Sequence, residues 1–129
     1  MYGSECWATN KKHEQKMHTN EMKMLRWAAG VTRLDRVRNE YVRGTFKVAP
    51  IAEKMAESRL RWFGHIMRRD EEYAVKKALA IAEKKNGKGR PLTTWWTNVT
   101  RDMERAQINT QTTQDRKTWR LRTRRADPR

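Results

Sequence analysis

Apolar residues recur along this chain with a helical period, and nowhere with the strict alternation of a half-buried strand. Met17, Met24, Leu25 and Ala28 fall seven, eight and eleven residues apart and predict a first helix over roughly Lys12 to Ala29, with Gly30 as its C-terminal cap. A shorter helix is predicted from about Asp35 to Arg43, ended by Gly44. Pro50 suits the first turn of a third, central helix. In that helix Ile51, Met55, Trp62 and Ile66 share an arc of about 60°, which Ala52, Ala56, Leu60, Phe63 and Met67 widen to about half the circumference. Glu53, Lys54, Glu57, Ser58, Arg61, His65 and Arg68 take the other half. Arg59 projects from the middle of the apolar half, so its charge must pair or snorkel.

An alanine-rich helix is predicted over about Glu71 to Glu83, with Ala74, Ala78, Ile81 and Ala82 inward. A basic, glycine-containing loop follows, Lys84 to Arg90, and Pro91 opens a fifth helix. There Leu92, Trp95, Trp96, Val99, Met103 and Ala106 fall within about 100° of arc. Gln107 to Thr113 reads as a polar connection, and a last helix over Thr113 to Arg125 has Trp119 as its one large anchor. The N-terminal Met1 to Trp7 has strand-like aromatic content but is short. These elements predict an all-α fold of five or six short helices in a small orthogonal bundle, with at most a strand stub near Tyr2. The third and fifth helices are expected to pack through Trp62, Phe63, Trp95 and Val99. One compact domain is expected overall: a helical region over residues 1–83, the basic loop 84–91 and a basic helical tail over 92–129.

Length and composition narrow the function. The 129 residues carry 30 Lys and Arg against 15 Asp and Glu, a formal charge of +15. Residues 84–129 hold a net +9 and residues 1–83 a net +6, so the shorter part is the more basic. Clustered cations gain affinity for polyphosphates by releasing condensed counterions, which makes nucleic acid the leading partner. No stretch reaches the ~18 apolar residues of a membrane span, and the N-terminus lacks the apolar core of a secretory signal. The single cysteine, Cys6, excludes a disulfide framework and a multi-cysteine zinc module, and fits a cytosolic or nuclear compartment, with nuclear favoured. Cys6 is expected to be a buried thiol beside Trp7. With His13 and His18 its spacing matches no zinc pattern.

Candidate contacts with nucleic acid follow from charge placement. Arg61, His65 and Arg68 stand at i, i+4 and i+7 on one polar helical face, although Glu57 is placed to pair with Arg61. Arg101 and Arg105 line the polar side of the fifth helix. Arg116, Lys117, Arg120, Arg122, Arg124 and Arg125 form a C-terminal set with almost no acid among them. Gly87-Lys88-Gly89-Arg90-Pro91 resembles an AT-hook, whose arginine enters the narrow minor groove of A·T-rich DNA, and also reads as a loop that simply starts a helix. Trp27 lies off its helix's main stripe and is the tryptophan best suited to a surface role, whereas Trp62 and Trp95 sit within apolar arcs. Asp70, Glu71 and Glu72 at a helix start serve the helix dipole. No phosphate-binding glycine loop, nucleophile elbow or complete catalytic set is present, and no cofactor is called for.

Several of these segments, in fixed order, resemble the far C-terminal region of non-LTR retrotransposon (LINE-type) reverse transcriptases, most closely the RTE-type elements. The matching segments are Tyr2-Gly3-Ser4-Glu5-Cys6-Trp7, Met24-Leu25-Arg26-Trp27, Gly30 to Asp35 and Arg38-Asn39-Glu40. Further on they are Ala49-Pro50-Ile51, Arg59 to His65, Gly89-Arg90-Pro91, Asp115-Arg116, Trp119-Arg120 and Arg125 to Pro128, while residues 72–88 match poorly. Proteins of that family join an apurinic-type endonuclease, a polymerase and this trailing segment. The polymerase's aromatic-Ala-Asp-Asp metal site is missing here, since no Asp-Asp pair occurs, and the endonuclease is missing too. The resemblance therefore implies a non-catalytic fragment, the end of the thumb plus the tail, that holds template RNA, primer–template or target DNA. It carries over Arg59, Arg61, His65, Arg90 and Arg120 as contact residues. The zinc knuckle of some related lineages is excluded by the single cysteine. The alternatives are a free-standing DNA-binding protein that uses the Gly-Arg-Pro loop, and a retroelement remnant without function.

Overall fold

The computed structural model describes residues 2–81 and 88–127. Over these residues the chain is all-α: six α-helices and two short 3₁₀ turns, with no strand. The helices are α1 (Lys11–Ala28), α2 (Asn39–Phe46), α3 (Ile51–Met67), α4 (Ala74–Ala80), α5 (Trp95–Ala106) and α6 (Arg116–Thr123). Where a strand stub was expected, Ser4–Cys6 forms a 3₁₀ turn, entered through Gly3 at φ 69°. Among the described residues no helix is long and apolar enough to cross a membrane.

The chain divides into two compact units, and the division falls inside α3 rather than at the glycine-containing loop. One unit comprises Met1–Thr9 and Ala56–Arg124, the other Asn10–Met55 and Arg125–Arg129. Helix α3 contributes residues to both units, Ile51–Met55 to the smaller and Ala56–Met67 to the larger.

In the larger unit Leu60 and Phe63 of α3, Val99 and Met103 of α5 and Trp119 of α6 form the buried cluster, with Met67, Trp95, Ala106 and Ile108 packed against it. Full burial of a side chain such as Leu60 or Phe63 contributes about 1.5–3 kcal/mol. Phe63 is the hub, its ring 6.3 Å from Trp95, 5.6 Å from Trp96 and 6.1 Å from Trp119. The expected pairing of α3 with α5 through Phe63, Trp95 and Val99 is present. Trp62 is outside this cluster; it is half-buried and stacks on His65. The Trp95 indole donates to the Glu5 carbonyl at 2.6 Å, so a polar tip is satisfied while the ring is packed. The Trp119 indole likewise donates to the Leu60 carbonyl at 3.0 Å. That approach requires Gly64: a Cβ there would lie 2.3 Å from Trp119 Nε1.

In the smaller unit α1 and α2 pack as a pair, and Met22, Val42, Ala49 and Met55 are buried. Asn10 caps α1 by accepting from the His13 N–H at 3.0 Å. Gly30 closes it at φ 64°, with the Gly30 N–H on the Trp27 carbonyl and the Val31 N–H on the Arg26 carbonyl, a Schellman motif. Arg26 donates to the Val37 carbonyl at 2.6 Å and to Asn39 Oδ1 at 2.9 Å, and Arg43 pairs with Glu21 at 2.6 Å. The C-terminal residues fold against the start of α3: the Ala49 N–H donates to Asp127 at 3.0 Å and Lys54 Nζ to the Arg125 carbonyl at 2.6 Å.

Several boundaries differ from the sequence reading, each for a local reason. Asp35 does not start α2; it accepts from the Thr32 N–H and hydroxyl in a turn, and those bonds hold its carboxyl below the usual range. Gly44 does not end α2, which runs on to Phe46 and stops with Lys47 in the left-handed region. Helix α4 is shorter than predicted and buries nothing: Ala74, Ala78 and Ile81 are exposed, because small side chains give the helix little to pack with. Ala82, also expected inward, lies outside the described residues. Pro91 and Leu92 precede α5 rather than opening it, and Leu92 is exposed; the cap is Thr94, whose hydroxyl accepts from the Thr97 N–H.

Candidate nucleic-acid interface

The buried polar cluster of the larger unit removes one predicted contact. Arg59 is 2% exposed and its guanidinium is bonded to the Asp102 carboxylate. A second guanidinium nitrogen donates to the Thr9 hydroxyl at 3.3 Å, and the Asn98 amide reaches the same hydroxyl at 3.5 Å. Burial pushes the Asp102 carboxyl above the ordinary carboxylate range, against the pull of Arg59. Arg59 is therefore not a phosphate contact. It is committed to a buried carboxylate and a hydroxyl, and a polyanion cannot reach it. The partner is only partly marked in the pattern: at 100° per residue Asp102 falls about 20° outside the apolar arc of α5, at its Trp95 edge, whereas Arg59 lies well inside that of α3. A charge inside one apolar stripe and an opposite charge at the edge of another are the signal of a buried pair.

The row Arg61, His65, Arg68 is taken up largely by neighbours. Arg61 pairs with Glu57 at 2.7 Å, one helical turn back. His65 stacks on Trp62 with ring centroids 5.5 Å apart, and its Nε2 accepts from Arg69 at 3.3 Å. Arg68 donates to the Thr113 carbonyl at 2.9 Å. Partial burial, and then the nearby charge of Arg116, lower the Arg68 pKa from its usual value.

Arg116 belongs to a cationic face on α6. Asp115 caps α6 by accepting from the Lys117 N–H at 3.0 Å and the Thr118 N–H at 3.2 Å. The bond from the Thr118 hydroxyl, and then those backbone bonds, hold its carboxyl below the usual range. Trp119 and Thr123 turn inward and set the rotation of the helix. Arg116, Lys117, Arg120 and Arg124 then share about 100° of its outer side, all exposed. Arg116, Arg120 and Arg124 follow one another at intervals of about 6 Å along the axis. The only acid of the segment, Asp115, is occupied by the cap. A cationic face of this kind, with its rotation pinned by a buried tryptophan, suits a row of phosphates.

The remaining predicted residues are dispersed. Arg105 is exposed and Arg101 half-buried, both close enough to Asp102 to act on its carboxyl. Lys88 and Arg90 are exposed, with Gly89 between them at φ 148°; Gly87 of the hook-like motif lies outside the described residues. Arg125 is half-buried and belongs to the smaller unit. Cys6, expected to be buried, is exposed. Glu71 and Glu72 pair with Lys76 and Lys77 rather than capping a helix. An open, mostly apolar hollow of about 530 Å³ lies beside α4, lined by Met67, Leu79, Ile81 and Trp96 among others. Its two charged residues, Glu71 and Lys76, neutralise each other, so it offers no polar anchor for a ligand.

Comparison with protein-family models, with curated proteins and with solved structures finds no match to this chain.

Proposed function

We propose that this chain is a non-catalytic nucleic-acid-binding fragment, the thumb-end and tail of a non-LTR retrotransposon reverse transcriptase. The observation that carries the binding is the outer face of α6, where the exposed Arg116, Lys117, Arg120 and Arg124 stand together with no acid among them, the adjacent Asp115 being engaged in the cap. Arg68 lies close enough to Arg116 for the two charges to act on each other. Like charges held together gain most from a polyanion, which replaces mutual repulsion with attraction and releases counterions. The ordered segments from Tyr2-Gly3-Ser4 to Asp115-Arg116 and Trp119-Arg120 support the family assignment. The catalytic steps belong to portions of the element protein not represented in this sequence.

The test is fluorescence anisotropy against structured RNA, RNA–DNA hybrid, and A·T-rich and G·C-rich duplexes over a range of salt. Affinity is expected to fall with a log–log slope of roughly −0.7 to −0.9 for each phosphate neutralised. Arg116→Glu with Arg120→Glu should weaken binding to every polyanion and flatten that slope by about two phosphates. Preference for RNA or hybrid supports the reverse-transcriptase reading. An A·T preference abolished by Arg90→Ala supports the Gly-Arg-Pro loop instead, since Lys88 and Arg90 are both exposed. Equal, weak binding that the α6 pair does not change refutes the proposed interface.

A further inference from the structure

Trp27 is 86% exposed in the last turn of α1. A tryptophan otherwise buries about 150–250 Å². At 100° per residue Trp27 shares an arc of about 60° with Lys12, Lys16 and Lys23, all exposed. No carboxylate falls on that arc. Glu14 and Glu21 lie on the other side of α1, where Glu21 is held by Arg43. Lys16 and Lys23 stand about 10 Å apart along the axis, and Trp27 lies about 6 Å beyond Lys23. The Schellman closure at Gly30, together with the Arg26 bonds to Val37 and Asn39, fixes the turn that carries the ring. The result is a solvent-facing aromatic ring, on a fixed turn of backbone, at the end of a lysine track.

We propose that this face of α1 binds single-stranded nucleic acid, with a base stacked on Trp27 and the strand's phosphates on Lys23 and Lys16. The proposal rests on the nucleic-acid reading above and adds a second site, in the smaller unit, with a different ligand form. An indole stacks on any unpaired base, whereas a duplex keeps its base faces covered, so the site discriminates single strands from double. Charge complementarity selects this occupant over a second copy of the chain. A partner with the same net charge of +15 is repelled by the lysine track, and a strand of phosphates is attracted.

The test compares Trp27→Ala, Trp27→Phe and Lys16→Glu with Lys23→Glu, each checked for unchanged helicity, on a 12-nucleotide single strand and on the matching duplex. Trp27→Ala is expected to weaken single-strand binding roughly ten-fold or more and to leave duplex binding within about two-fold. Trp27→Phe, which keeps a ring, should recover part of the loss, and the lysine reversal should weaken single-strand binding and flatten its salt slope. If wild type binds both forms and Trp27→Ala changes neither, the stacking site is wrong while the nucleic-acid reading stands. If wild type binds neither the single strand nor the duplex, both readings fall, whereas duplex binding that the α6 pair weakens and Trp27→Ala leaves unchanged confines the failure to the stacking site. If Trp27→Ala instead abolishes concentration-dependent self-association and leaves strand binding intact, the face is a protein contact and the proposal is overturned.

Discussion

Replacing Gly64 by alanine puts one methyl group where α3 and α6 touch most closely. The new Cβ would lie 2.3 Å from Trp119 Nε1, 2.8 Å from Cδ1 and 2.9 Å from Cε2. Ordinary contact begins near 3.4 Å, so the indole must retreat by about 1 Å. Trp119 is 2% exposed and its ring packs against Phe63, so it has little room to retreat. Overpacking of this kind costs about 1–3 kcal/mol. The retreat also breaks the indole bond to the Leu60 carbonyl and leaves a buried N–H unpaired, a further cost of about 1–3 kcal/mol. Alanine offsets about 1 kcal/mol through its higher helix propensity. The expected net loss is near 3 kcal/mol, or a fall in Tm of roughly 12–24 °C for a unit of this size. Urea and thermal unfolding followed by far-UV circular dichroism measure it. Gly44→Ala is the internal control: nothing lies within 4 Å of its added Cβ, and the substitution should stabilise by about 0.5–1 kcal/mol. In a Trp119→Phe background, where the clashing five-membered ring is gone, the Gly64→Ala cost should shrink by more than about 1 kcal/mol. A Gly64→Ala variant as stable as Gly44→Ala would refute the close approach of α6 to α3.

Two further outcomes test the polar features. Arg59→Met should cost about 3–5 kcal/mol at neutral pH, because it strands Asp102 in the core, whereas Arg59→Met with Asp102→Leu should recover most of that loss. The folded-state pKa of Asp102 is raised, so its contribution is fully present at low pH and lost as pH rises through that pKa; Arg59→Met should therefore regain stability on acidification. A loss below about 1 kcal/mol would mark the pair as an ordinary surface bridge. Asp115 has the opposite sign: its folded pKa is depressed, so its cap is fully effective above the ordinary value of 3.8 and is lost as pH falls below it. Asp115→Asn should keep the cap and lose this acid dependence, while Asp115→Ala should lose both, as read from the helicity of α6 and the burial of Trp119 between pH 2 and 6.

The helices were legible because their signals are local. The stripes of α1, α3 and α5, the Gly30 cap and the Trp119 anchor all follow from a 3.6-residue period and from φ preferences within a few positions. The same local reading marked Arg59 as a charge that must pair and Trp27 as a ring off its stripe. What it lacked was the partner. Asp102 is 43 residues from Arg59, and only the packing of α5 on α3 brings them together. Packing likewise turned Arg68 onto the Thr113 carbonyl and left Arg116, Arg120 and Arg124 facing water. A lone arginine on a helical wheel looks the same whether it meets a phosphate, a carbonyl or a carboxylate. The sequence by itself determined the all-α class, most helical stripes and the excess of positive charge, because these depend on neighbours in the chain. The tertiary structure alone decided which cations stay available and where the two compact units divide, because both depend on which faces find each other across long stretches of sequence.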